Sequence, residues 1–293
     1  MRRLIIAIFG ILYANASSFL APPEHVFAPD EIRRTRYGQY AGTDRTRYMH
    51  FSAVARPEDN MRHMRTILRY CYNIERMEIS LNDISPGFLG RLSCSLQRFQ
   101  RLSTLEMHLP GSQTADHVYS DYLDPLFAYP SANLRVLSID HENVMIVHSA
   151  AFSRFLRALS RGLSGLETFE MAHVKIKPFG IPQQVAMRFG SLRALFLRDL
   201  QLSSEGNALL YFIRSMGETP ALRSLSIGEM NTNLAELVET LSYVAARCIL
   251  QTVHLSRLVG ILAEDIRALK ARFPHVIIIS DIPTPMPMQV SYF

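Results

Sequence analysis

Leu192-Arg193-Ala194-Leu195-Phe196-Leu197-Arg198-Asp199-Leu200 carries apolar side chains at its first, fourth, sixth and ninth positions. Alternation from the fourth to the sixth residue is the pattern of a short strand with one buried face. The same placement at positions one, four and six recurs as Ile74-Met77-Ile79, Leu102-Leu105-Met107, Leu134-Leu137-Ile139 and Leu166-Phe169-Met171. It returns as Leu222-Leu225-Ile227 and Leu250-Val253-Leu255, with Phe273-Val276-Ile278 as an eighth copy and Tyr48-Phe51-Ala53 as a weak leading one. Starts are separated by 28, 32, 32, 26, 30, 28 and 23 residues. Self-similarity sustained over two hundred residues marks stacked units rather than two ordinary domains.

Between the copies run segments with a 3.6-residue apolar period. Leu234, Leu237, Val238, Leu241, Val244, Ala245 and Cys248 make one helical stripe, entered through Asn233 with Glu236 three residues on, the sequence form of a capping box. Phe152, Phe155, Leu156, Leu159 and Leu163 make a second, and Leu262, Ile266, Leu269 and Phe273 a third. Each unit is therefore strand, turn, helix, turn. One unit alone cannot bury its strand face and helix stripe, whereas stacking merges them into a continuous core.

On these residues the chain resembles the leucine-rich repeat superfamily, in its long-repeat, ribonuclease-inhibitor-like class. The resemblance implies an α/β solenoid of about eight repeats, a horseshoe with a parallel concave sheet and a helical convex side. It covers roughly residues 70–281. The family usually places Asn or Cys at the ninth position to bond the turn backbone, and here only Asn82 fits. Pro110, Glu142, Val174, Leu200, Met230 and Leu258 stand there in other copies, so the turn backbones must be satisfied differently.

Composition agrees with a packed solenoid. Hydrophobic residues are 48% and charged residues 19% of 293, enough apolar content to build a core. The net charge of +5 is too mild to imply nucleic acid as partner. Three cysteines, Cys71, Cys94 and Cys248, exclude a disulfide-dense scaffold and match no zinc spacing.

Four segments follow. Met1-Arg2-Arg3, the apolar run Leu4–Tyr13 and Ala14-Asn15-Ala16 read as a secretory signal peptide over residues 1–16. That run would span only ~15 Å as a helix against a hydrocarbon core of ~30 Å, so no transmembrane anchor is expected. Residues 17–69 read as an N-terminal cap region, 70–281 as the repeat domain, and 282–293 as a Pro-rich tail. Arg-Thr-Arg-Tyr occurs at Arg34–Tyr37 and again at Arg45–Tyr48. Such a stretch can hold phosphate and stack on unpaired bases, but a solvated cap over the first repeat is its commoner role.

In this architecture the strand residues between the motif hydrophobics face outward. Glu78, Glu106, His108, Asp140, Glu170, Phe196, Arg198 and His254 are the candidate partner-binding residues, with the four acids in one patch and Phe196 as apolar anchor. Reversing Glu106 and Glu170 to Arg is expected to weaken partner capture with thermal stability nearly unchanged. No catalytic constellation emerges: His141-Glu142 lacks a second histidine one turn later, and there is no Gly-x-Ser-x-Gly elbow or phosphate-binding glycine loop. Neither metal nor cofactor is expected. The function expected is a secreted, non-enzymatic scaffold that binds a protein partner, basic or hydroxyl-rich, through its concave face. The alternatives are an intracellular, cytoplasmic adaptor of the F-box and leucine-rich-repeat type without a recognisable F-box, or a structural coat component.

Overall fold

The computed structural model describes residues 47–52, 73–80, 99–109, 123, 127, 133–177, 187–203 and 206–281. The expected signal peptide, most of the cap region, the Pro-rich tail, Asn82, Pro110, Cys71 and Cys94 lie outside the described residues.

The chain is α/β, with one open parallel sheet whose strands follow sequence order from β1 to β9. These are β1 (Tyr48–Ser52), β2 (Arg76–Ser80), β3 (Thr104–Leu109), β4 (Val136–His148), β5 (Thr168–Lys177), β6 (Ala194–Leu202), β7 (Ser224–Gly228), β8 (Thr252–Ser256) and β9 (Ile277–Ser280). Helix α1 (Ser149–Gly162) falls between β4 and β5, α2 (Ala208–Met216) between β6 and β7, α3 (Leu234–Ala245) between β7 and β8, and α4 (Ala263–Arg272) between β8 and β9. Parallel neighbours in sequence order demand a crossover after every strand, and the result is a solenoid-like stack.

Two apolar rows form the inner face of the sheet. Met77, Leu105, Leu137, Phe169, Leu195, Leu225, Val253 and Ile278 stand opposite one another in register, and Ile79, Met107, Ile139, Met171, Leu197, Ile227 and Leu255 form the second row. All are buried, together with Phe152, Phe155, Leu156 and Leu159 of α1 and Phe212 of α2. Phe152 packs on Phe212 with ring centroids 5.3 Å apart, joining the first two helices over the sheet. Each such side chain contributes roughly 1.5–3 kcal/mol of burial, so the rows dominate the fold's stability.

The backbone repeats as strictly as the rows. Before each of β1 to β7, one carbonyl accepts two N–H groups from the next unit: Arg47 O from Glu75 and Arg76 at 2.7 and 3.0 Å, Glu75 O from Ser103 and Thr104, and Ser103 O from Arg135 and Val136. Arg135, Glu167, Arg193 and Arg223 carbonyls continue the series. A left-handed residue also recurs two positions past the second core row, inside β5 and β6 and just after β7 and β8. His173, Asp199, Glu229 and Arg257 all adopt positive φ, from 45° to 58°, at the same place in four successive units. The left-handed residue aims the following Val174, Leu200, Met230 and Leu258 into the core, where all four are buried. Inter-unit bonds such as Glu229 N to Ser256 O (3.0 Å) and Val259 N to Met230 O (2.9 Å) satisfy the turn backbone that a ninth-position Asn would otherwise serve.

Several sequence readings shift. At the first strand, Met49 and Phe51 pair with Met77 and Ile79, so the leading copy sits two residues from the phase set by Tyr48 and Phe51. At the last, Ile278 rather than Val276 stands opposite Val253. In β4 a register shift between Asp140 and Met145 brings Met145 opposite Val174, so Met145 and not Glu142 takes the ninth position. Asn233 caps α3 by accepting from Glu236 N at 3.0 Å, but the Glu236 carboxylate takes the Thr232 hydroxyl at 2.9 Å, so only half of the capping box forms. Leu262 precedes α4 and is 62% exposed, so it does not belong to that helix's buried stripe. Asn207 does more than cap α2: its Nδ2 donates to Glu236 O and Thr240 Oγ1 of α3, pinning the two helices together.

Candidate partner-binding face

Side chains pointing away from the helices fall into three rows. Arg76, Thr104, Val136, Thr168, Ala194, Ser224 and Thr252 form one; Glu78, Glu106, Ser138, Glu170, Phe196, Ser226 and His254 form the middle one. The third runs His108, Asp140, Ala172, Arg198, Gly228 and Ser256. All eight candidate residues therefore lie on one open face, in two adjacent rows. Strand spacing of ~4.8 Å brings the four acids within ~15–20 Å.

Geometry changes what that acidic patch offers. Arg76 Nη2 reaches the Glu106 carboxylate at 2.8 Å. Arg198 Nη2 lies 3.1 Å from Glu170 and 3.6 Å from Asp140. His108 Nε2 is 3.3 Å from Glu78, and its Nδ1 is 4.0 Å from Asp140. Each acid thus has a basic neighbour, and Tyr48 of β1 donates its hydroxyl to Glu78 as well. The face is a lattice of half-buried pairs rather than a row of free carboxylates. Reversing Glu106 and Glu170 to Arg would set like charges beside Arg76 and Arg198, so stability is not expected to remain unchanged.

Burial and pairing leave clear electrostatic signatures. Glu78 pushes the His108 imidazole up from its ordinary range, against the opposing effect of burial. Burial raises the Glu170 carboxyl by more than Arg198 and the Ser138 hydroxyl lower it. Tyr48 is raised by burial and by its bond to Glu78. His141, just behind Asp140, is 1% exposed, and burial together with His173 lowers it to about 3.

Asp140 and Arg198 belong to β4 and β6, so their ion pair crosses β5 above Ala172. Ala172 stands in the outward row yet is wholly buried. A small residue there is what lets a pair two strand spacings apart close over it. Gly228, next along, has a similar role: a Cβ would lie 3.5 Å from Arg198 Cγ and only 2.7 Å from Ser256 Oγ.

Two participants were absent from the sequence-derived set. His173 and Asp199, the left-handed residues within β5 and β6, lie 3.1 Å apart through Nδ1 and Oδ2, and His173 Nε2 is 3.7 Å from Asp140. Gln201 Nε2 donates to the other Asp199 oxygen at 2.8 Å. Their signal was their position, two residues beyond Met171 and Leu197 in consecutive repeats.

Beyond β6 the face is uncharged. Ser224, Ser226, Gly228, Thr252 and Ser256 surround His254, whose Nδ1 is buried with no hydrogen bond. Phe196 stands at the boundary between the two halves. Among the described residues no group of histidines, cysteines and carboxylates is arranged to hold a metal ion, and no helix is long and apolar enough to cross a membrane. Cys248 is a free thiol donating to Val244 O at 3.2 Å and raised by burial, the environment of an unreactive core-edge thiol. Compared with known proteins, the chain matches no family model and no curated sequence.

Proposed function

We propose that the chain is a secreted, non-enzymatic recognition scaffold of the leucine-rich repeat type, which binds a protein through the open face of its sheet. The observation that carries this reading is the division of labour among the strand residues. Inward rows are uniformly apolar, whereas the outward rows are chemically varied and held in position by inter-strand pairs. A rigid sheet with an uncovered polar face presents fixed side chains at low ordering cost, which is what a protein-binding surface needs. Phe196 beside Arg198 supplies the aromatic and guanidinium pair typical of energetically dominant contact residues. The basic N-terminal tripeptide and the apolar run after it support secretion.

The test is affinity capture from the native extracellular fluid with the chain from Ser17, beside two variants. Phe196→Ala with Thr252→Arg alters the open face without touching an ion pair. Arg267→Glu alters the exposed side of α4. A discrete protein retained by the parent and by Arg267→Glu, but lost with the first variant, is the expected result. Equal retention by all three would remove the open face from consideration.

A further inference from the structure

Two imidazoles on the open face have both ring nitrogens turned toward carboxylates. His108 lies between Glu78 (Nε2, 3.3 Å) and Asp140 (Nδ1, 4.0 Å). His173 lies between Asp140 (Nε2, 3.7 Å) and Asp199 (Nδ1, 3.1 Å). The five groups form an unbroken zigzag, Glu78, His108, Asp140, His173, Asp199, from β2 to β6. The outer contacts have hydrogen-bond length or nearly so, and the two inner contacts at Asp140 have ion-pair length.

A neutral imidazole has one N–H and one lone pair, so it donates to only one of two flanking carboxylates and turns its lone pair on the other. Only the imidazolium satisfies both. Every link of the zigzag is therefore attractive when both histidines are protonated, and one link per histidine is repulsive when they are neutral. Other charged groups bound the chain on all sides. Tyr48 reaches Glu78 from β1, where His50 stands in register with Glu78. Arg76 with Glu106 flanks it on β2 and β3, His141 lies behind it on β4, and Arg198 with Glu170 closes over it from β5 and β6.

We propose that this zigzag is a proton-operated clasp that sets how much negative charge the open face offers to a cationic protein segment. The proposal rests on the docking reading above. Within the paired lattice itself, Arg76 and Arg198 oppose Glu78, Glu106, Asp140, Glu170 and Asp199, a net charge of −3 with both imidazoles neutral and −1 with both protonated. With the imidazoles neutral, the clasp is loosened and Asp140 and Asp199 are available to an incoming Lys or Arg. With them protonated, the imidazoliums occupy those same oxygens and compete with the partner.

The test has two arms on the full chain, with His108→Gln/His173→Gln as the principal variant and Asp140→Asn as the second. In the first, the His108 ring is titrated by NMR. The clasp requires its midpoint to fall by about half a pH unit or more in Asp140→Asn. It also requires that amides of β3 to β5, corrected for intrinsic exchange, be better protected at about pH 6 than at about pH 8 in the parent and not in the double variant. An unmoved midpoint with pH-independent protection would overturn the proposal whatever the binding data show. In the second arm a short oligolysine peptide is the probe. Its affinity is expected to be several-fold weaker at about pH 6 than at about pH 8, with the difference abolished in the double variant. An unchanged pH dependence in that variant would assign the effect to Glu170 and overturn control by the clasp. The docking reading itself fails separately, when the Phe196→Ala/Thr252→Arg variant leaves partner capture intact.

Discussion

Strands β2 to β6 and strands β7 to β8 share one backbone plan and one pair of core rows, but opposite outer surfaces. The first group carries paired acids, arginines and histidines; the second carries Ser224, Ser226, Gly228, Thr252, His254 and Ser256. Since Leu197 and Ile227 are equally buried across that boundary, the outward residues do not decide whether a strand joins the stack. The inward rows build the scaffold, and the outward rows are free to carry function. The charged half also carries the paired carboxylates and imidazoles through which the scaffold is coupled to pH.

The largest difference between the halves should appear in acid. His141 is buried behind the charged half and its folded value is lowered to about 3, below the ordinary value of 6.5. As pH falls below about 6.5 the unfolded chain takes up a proton that the folded chain refuses, so stability present above that pH is lost progressively down to about 3. The slope approaches ~1.4 kcal/mol per pH unit between those limits. Chemical denaturation at several pH values should show this limb in the parent. His141→Gln is expected to start less stable and to show a flatter limb, and parallel curves for the two proteins would remove His141 as the cause.

A smaller effect separates the halves at neutral pH. Ala172→Leu places three extra carbons beneath the Asp140 to Arg198 pair, where the site is already closed, and should cost about 1–3 kcal/mol through overpacking and a lost pair. Ser226→Leu, in the middle outward row of the uncharged half, has no pair above it and should change stability by less than about 0.5 kcal/mol. Urea midpoints for the two variants measure the contrast directly. Equal costs would mean that the charged lattice has no structural role of its own.

This contrast also explains which parts of the molecule were legible in sequence. Leu137 with Ile139 and Leu195 with Leu197 announce strands because side-chain alternation is local, and seven consistent copies fix the phase. Copies at the two ends have a neighbour on one side only. There the runs around Phe51 and through Val276-Ile277-Ile278-Ile279 admit two phases, and register decides between them. The placement of all eight candidate residues on one face was legible for the same reason. Their pairing was not, because Arg198 meets Asp140 from 58 positions away and across an intervening strand. Ala172 looks like an ordinary outward residue until that pair is seen to cross it. The left-handed turns at Glu229 and Arg257 were hidden because neither residue type signals positive φ as Gly or Asn does, and at His173 the left-handed residue sits inside a strand.

Those turns supply the smallest test. Glu229 holds φ at 53° in the uncharged half, where its carboxylate meets Arg257 Nη1 at 2.8 Å on a largely exposed guanidinium. Glu229→Asn removes that exposed pair, worth at most about 1 kcal/mol, and installs a residue that tolerates the left-handed region better. The two changes oppose each other, so the net effect is expected within about 0.5 kcal/mol of zero, with the sign set by backbone relief once salt has screened the pair. Asp199→Asn should differ, because its left-handed residue is also the last carboxylate of the zigzag. Its neutral-pH stability should scarcely move, while the difference in β3 to β5 amide protection between about pH 6 and about pH 8 should shrink. A matched pH response in the two Asn variants would mean that the turn residues serve the backbone alone, and the boundary between the two halves would then lie at Asp140 rather than at Asp199.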